Sequence, residues 1–272
     1  MSFALTEGDG TLTLDTLHMR LSRMHRGILT GARLLSDQWE HVRHSALMVT
    51  LTYRPGVKWE PFHIATYTDA LRKWLRRRGS DGCYLWVMET TQAGVPHYHV
   101  VVWLKRGLFV PKADKRGWWP HGMTRTEVAR CPVAYLAKYA SKGFEHRLPR
   151  GARISGCAGL DEVNRRERCW WLLPAYARSA FDKSEDVIRA AGGGFVSRTS
   201  GAVVASAWLL VSVGRGTVRL RCRGPDLVRD VPPAHVVSGA GSVRVDVRDV
   251  FEKSATDFCS GDAAARFQHV QP

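Results

Sequence analysis

Two short stretches of this chain hold residue types that could do chemistry together. His97 and His99 flank Tyr98 within residues 95–104, a run of β-branched and aromatic side chains. Side chains alternate along a strand, so both imidazoles face one way, as two ligands of one metal must. Glu89 follows the apolar run 84–88, and Gln92-Ala93-Gly94-Val95 carries the glycine that a hairpin connection prefers. Pairing the two runs brings a carboxylate near both imidazoles. Two nitrogens and one oxygen, with positions left open, suit a divalent cation that also binds substrate. A pair of half-exposed strand histidines with no metal is the competing reading of the same motif.

The second stretch is residues 131–142. Read as a helix, it places Tyr135 and Tyr139 on one face, four residues apart, with Lys138 and Lys142 each three residues after a tyrosine. A phenol has a pKa near ~10, so a nucleophilic tyrosine needs a cation or metal nearby to favour the phenolate. An ordinary amphipathic helix packing its tyrosines on a sheet would show this spacing too. The repeated Tyr-x-x-Lys downstream of a His-x-His favours chemistry.

At these residues the chain resembles the HUH endonucleases, and within them the rolling-circle replication initiators of small bacterial phages and plasmids. Residues 47–53 (LMVTLTY) resemble the first-motif strand, 96–99 (PHYH) the metal motif and 135–142 (YLAKYASK) the two-tyrosine motif. The resemblance spans residues 44–144. The tyrosines follow the histidines, as in initiators and some transposases; in conjugative relaxases they precede them. Residues 153–156 and 192–198 also resemble segments of filamentous-phage replication proteins.

The resemblance implies an HUH endonuclease fold, a five-stranded antiparallel sheet in a ferredoxin-like arrangement, of α+β class. It implies Mg²⁺ or Mn²⁺ held by His97, His99 and Glu89, and single-stranded or hairpin origin DNA as substrate. Tyr135 or Tyr139 would attack the scissile phosphate and retain a 5′-phosphotyrosine, with Lys138 and Lys142 assisting. The free 3′-hydroxyl would pass to a host polymerase, with a host helicase as a further partner, in the bacterial cytoplasm. A two-tyrosine HUH transposase shares these motifs. A non-catalytic DNA-binding protein would explain the charge without explaining the tyrosines.

The charge itself is large: 40 Lys and Arg against 25 Asp and Glu give +15, favouring a polyanionic partner bound in a salt-dependent way. The six cysteines form no C-x-x-C pair, which argues against structural zinc and suits a reducing compartment. The first ten residues do not read as a secretory signal, and the most apolar run, 202–213, is too short to span a bilayer.

The elements that must position these residues follow from periodicity. Residues 1–14 read as a loose arm and 17–39 as an amphipathic helix, together an N-terminal unit of 1–40. Within the expected endonuclease domain, 41–190, come a central strand at 46–53, a helix at 61–78, the histidine hairpin and a tyrosine helix at 126–142 that Pro132 starts or kinks. Residues 164–181 read as helical with a break at Pro174. Lys105, Arg106, Lys112, Lys115, Arg116, Trp118 and Trp119 mix cations with rings in the way that suits single-stranded DNA. The expectation for 191–272 is a small β-rich module and tail, and for the whole domain a sheet with its helices on one face.

Overall fold

A computed structural model describes residues 4–6, 11–80, 82–91, 94–141, 151–190, 193–214 and 216–222, without the side chains of 4–6 and 139–141. In order the elements are β1 (Ala4–Thr6), β2 (Thr11–Asp15), α1 (Thr16–Trp39), β3 (His44–Tyr53), α2 (His63–Arg77), β4 (Tyr84–Thr90) and β5 (Pro96–Lys105). There follow β6 (Gly122–Val128), α3 (Pro132–Ser141), β7 (Ser155–Ala158), α4 (Glu162–Trp171), α5 (Ala175–Arg178), β8 (Val187–Arg189), β9 (Gly194–Ser197), β10 (Val203–Ala205), β11 (Trp208–Val213) and β12 (Thr217–Cys222).

The class is α+β, built on a five-stranded antiparallel sheet of order β6-β3-β5-β4-β7. β5 lies at its centre because residues 98 and 100–104 are apolar on both faces, the pattern of a strand covered twice; all six are fully buried. Register sorts the two faces. His97, His99 and Val101 share one with Thr52, Thr50 and Met48 of β3 and with Glu89, Val87 and Leu85 of β4. Tyr98, Leu51, Tyr53 and Trp86 share the other.

Helices cover both faces, not one as expected. α1 lies on the histidine face, capped at its start by the Asp15 carboxylate, which accepts from Leu17 N at 2.7 Å. Its buried stripe of Met24, Ile28, Leu35 and Trp39 recurs at helical spacing. Gly31 sits in that stripe, where a Cβ would come within 2.7 Å of Leu85 Cδ1 and 3.3 Å of Cys157 Sγ. The glycine therefore sets how closely helix and sheet approach. Gly31→Val is expected to cost about 1–3 kcal/mol through overpacking, read as a lower denaturation midpoint with unchanged m-value; an unchanged midpoint would refute the close approach.

α2 covers the opposite face. Tyr67 and Tyr98 both meet Trp119 edge-on, and Tyr53 packs on the same indole with centroids 5.0 Å apart. At the rim of this layer His63 stacks on His121 with ring centroids 3.6 Å apart, and Tyr53 Oη lies 3.1 Å from His63 Nδ1. Burial lowers the pKa of both imidazoles, and each opposes charging of its neighbour, explicitly so at His121. A histidine with a depressed folded pKa binds its proton more readily when unfolded. Stability is then full above pH ~6.5 and falls as pH drops below that value. The melting temperature should fall between pH 7.5 and 5.5, and His121→Phe, which keeps the stacked ring without its charge, should flatten the dependence. An equal slope in the variant would refute the assignment.

Strand pairing crosses both expected domain boundaries. β1 and β2, expected to be a loose arm, pair with β12 and β11 in a four-stranded sheet of order β1-β2-β12-β11. Alternating Thr11-Leu12-Thr13-Leu14 supplies the strand pattern there. The single run 202–213 divides into β10, which pairs with β9 and thence β8, and β11, which pairs with β12. Pro174 does break the α4–α5 region, as the last residue before α5. Residues 223–272 lie outside the described residues. The five cysteines described are all free. Among the described residues no helix is long and apolar enough to cross a membrane.

Candidate active site on the histidine face

The hairpin places Glu89 directly across from His97, with Val87 across from His99. On the other side of β5, Thr52 pairs with His97 and Thr50 with His99. Two imidazoles, one carboxylate and two hydroxyls thus share one patch of the sheet. His99 is held at both nitrogens: Nε2 lies 3.0 Å from Glu89 Oε2, and Nδ1 3.4 Å from Thr50 Oγ1. A neutral ring that donates Nε2–H to the carboxylate leaves Nδ1 to accept from the threonine hydroxyl. His99 is nearly inaccessible, with 7% of its side chain exposed, against 20% for Glu89. His97 is half-buried; burial lowers its pKa, with the Glu89 charge pulling the other way. It is therefore a neutral imidazole with a lone pair at neutral pH.

In donor chemistry this set fits a divalent cation: borderline nitrogens with a hard carboxylate oxygen. In position it is not yet gathered, since among the described residues no three His, Cys, Asp or Glu side chains surround a common point. Glu89 is engaged with His99, and the same carboxylate that would share a metal now orients the ring.

The tyrosine helix arrives over the same face. α3 packs against α1 and passes β4 and β5, and Leu136 is fully buried in the main core. Pro132 opens the helix, where its missing N–H costs nothing, and Tyr135 N makes a first helical bond to Cys131 O at 3.0 Å. With Leu136 inward, Tyr135 is 38% exposed, and Lys138 is exposed as well. Tyr139 lies in α3, but its side chain, like all of Lys142, is outside the described residues.

The expected DNA-binding group divides three ways. Lys105 and Arg106 are exposed but stand at the far end of β5, six residues and about 20 Å along the strand from His99. With Arg43 and Gly107 they line a shallow depression there. Lys112, Lys115 and Arg116 are exposed on a loop pinned to the opposite face by Trp119. Trp119 itself cannot stack on a base, because it is fully buried among Tyr53, Tyr67 and Tyr98, with its indole N–H donated to Thr52 O at 3.1 Å. Trp118 is half-buried and packs near Trp74. The alternation of rings and cations arises from one side of the loop packing and the other facing solvent.

Thr50 is not singled out by the sequence, because only the β3–β5 register reveals that it meets His99. A cluster of arginines around α1 and α4 escapes sequence reading for the same reason.

Residues 46–144 span β3 to just past α3, and so include both histidines, Glu89 and both tyrosines. Over these residues the chain matches a family of replication-associated proteins, the ORF2 type. Neither the curated proteins nor the solved structures give a match. The match places this segment in that replication-associated protein family and supports a place for the chain among phage and plasmid replication initiators.

Proposed function

We propose that this protein is a single-strand DNA endonuclease and ligase of the HUH type, which nicks a replication origin to start and end rolling-circle replication. The observation that carries the reading is the sharing of one sheet face by Glu89, His97, His99 and the helix of Tyr135, within the segment that matches a replication family. His97, His99 and Glu89 would hold Mg²⁺ or Mn²⁺, which when bound neutralises charge on the non-bridging oxygens of the scissile phosphate.

The chain's own groups do the rest. The Tyr135 oxygen forms a bond to phosphorus as the bond from phosphorus to the 3′-oxygen breaks, and the phenol proton is lost while the leaving oxygen gains one. The exposed Lys138 ammonium, one helical turn on, favours the phenolate or the phosphate charge. The ester conserves the energy of the broken bond, so a free 3′-hydroxyl can reverse the step without ATP. Tyr139, four residues further along α3, would make the second cut after one round of synthesis. The 3′-end left by the first cut would prime a host polymerase behind a host helicase.

Lys105 and Arg106 at one end of the sheet, and Lys112, Lys115 and Arg116 on the opposite face, would hold flanking DNA by its phosphates. Incubation with a single-stranded origin oligonucleotide and Mn²⁺, followed by denaturing electrophoresis, tests the reading. A protein–DNA adduct that survives denaturation is expected. Cleavage with no adduct would refute tyrosine chemistry, and neither product would leave a binding protein.

A further inference from the structure

Away from the histidine face, α1 meets α4, α5 and β8 through an excess of arginines. Arg23 and Arg26 sit one turn apart on α1. Arg23 donates to Leu172 O at the end of α4 (3.1 Å), and Arg168 reaches back from α4 to Gly27 O (3.4 Å), so the two helices are laced by guanidinium groups. The Arg178 guanidinium carbon lies 5.8 and 5.7 Å from the Trp170 and Trp171 ring centroids, and its buried Nε has no hydrogen-bond partner. Arg189 of β8 lies near enough to act on the charge of Arg23.

These cations repel one another. Burial, then Arg189 and Arg168, lower the pKa of Arg23. Burial, with Arg178 and Arg23 beside it, takes Arg26 down to about 10. The nearby carboxylates are engaged elsewhere: Glu167 pairs with Arg33 and lies 4.0 Å from Lys183, and Asp186 pairs with Arg198. Grouped guanidinium ions, half out of water and short of anions, are costly unless something negative joins them. Arginine's planar fork is suited to phosphate oxygens.

We propose that Arg23, Arg26, Arg168, Arg178 and Arg189 form a phosphate-binding site for a single-stranded nucleic acid, at the junction of α1 with α4, α5 and β8. The ligand is a phosphodiester backbone, bound without base readout. The choice of polymer rests on the proposed DNA-processing function; the anion site itself does not. Because α1 also carries α3 on its flank, a strand held here runs beside the element that bears Tyr135.

The test measures binding alone, without cleavage, so its outcome is independent of the tyrosine chemistry. A labelled single-stranded oligonucleotide of non-origin sequence is titrated in metal-free buffer across a range of salt. Arg23→Gln with Arg178→Gln should weaken binding about tenfold at low salt and flatten the log–log salt slope by about 1.4, or two phosphates. A charge-matched control, Arg43→Gln with Arg76→Gln, should change the slope less, and Arg23→Lys with Arg178→Lys should restore most of it. The melting temperature of the unliganded glutamine variant should hold or rise, because repulsion is relieved, whereas a purely structural role predicts a fall. Equal slope changes in variant and control, or a melting loss with an unchanged slope, would overturn the site. Stabilisation by pyrophosphate with no effect of the variant on the oligonucleotide would overturn the nucleic-acid assignment.

Discussion

The double variant Tyr135→Phe with Tyr139→Phe is expected to form no covalent adduct with origin DNA, and the two single variants are expected to differ from each other. Phenylalanine keeps the ring and removes only the oxygen that would bond to phosphorus. Tyr135 is partly exposed, while its neighbour Leu136 anchors the helix in the core, so losing the hydroxyl should leave folding within about 0.5 kcal/mol. Initial nicking by Tyr135→Phe should fall on the order of 10³-fold or more, the scale of losing a nucleophile. Tyr139→Phe should nick but fail to close and release circles, if the second phenol serves only the return step. The opposite assignment of first and second cut would exchange these phenotypes and leave the chemistry intact. Peptide mapping of the adduct decides the matter: attachment at neither position removes the nucleophile assignment altogether.

Much of the arrangement behind that prediction was legible because it rests on local periodicity. Alternation in residues 96–104 fixed which way the histidines point, and the glycine before them marked a hairpin whose register brings Glu89 opposite His97. What could not be read needed tertiary register. Thr50 meets His99 only because β3 pairs antiparallel with β5 at that offset, and no spacing within either strand encodes the offset. His63 and His121 lie far apart in sequence and stack only once α2 and the loop before β6 converge.

Composition misled where one residue type serves two environments. The tryptophans of residues 105–120 resembled a base-stacking platform, yet Trp119 fills the centre of an aromatic layer and Trp118 packs beside Trp74. Aromatic rings bury well whatever their neighbours, so an interleaved cation says only which side of the loop faces water. The pairing of β1 and β2 with β11 and β12 was hidden for another reason: strands near opposite ends of the described chain share a sheet, and short-range pattern carries no sign of it.

Removing the proposed metal ligands should separate cleavage from binding. His97→Ala and His99→Ala are each expected to abolish cleavage while leaving most sequence-independent DNA binding, which rests on Lys and Arg. The two should differ in stability. His99 is almost wholly buried and held by Glu89 and Thr50, so its removal strands a carboxylate at low exposure, at about 1–3 kcal/mol, whereas half-buried His97 should cost less. Thr50→Val keeps the shape and deletes only the hydroxyl beside Nδ1. If that contact orients the ring, the Mn²⁺ concentration for half-maximal cleavage should rise about tenfold, with the rate at saturating metal nearly unchanged. Glu89→Gln preserves an acceptor for Nε2–H but loses the charge, so it should raise the metal requirement further without the folding penalty of an alanine. Chelation with EDTA should stop cleavage by the wild type, and added Mn²⁺ should restore it. Near-wild-type cleavage by His97→Ala or His99→Ala in saturating Mn²⁺ would sink the metal assignment. A Thr50→Val enzyme with an unchanged metal requirement would leave the two histidines in place and remove only the role given to the threonine.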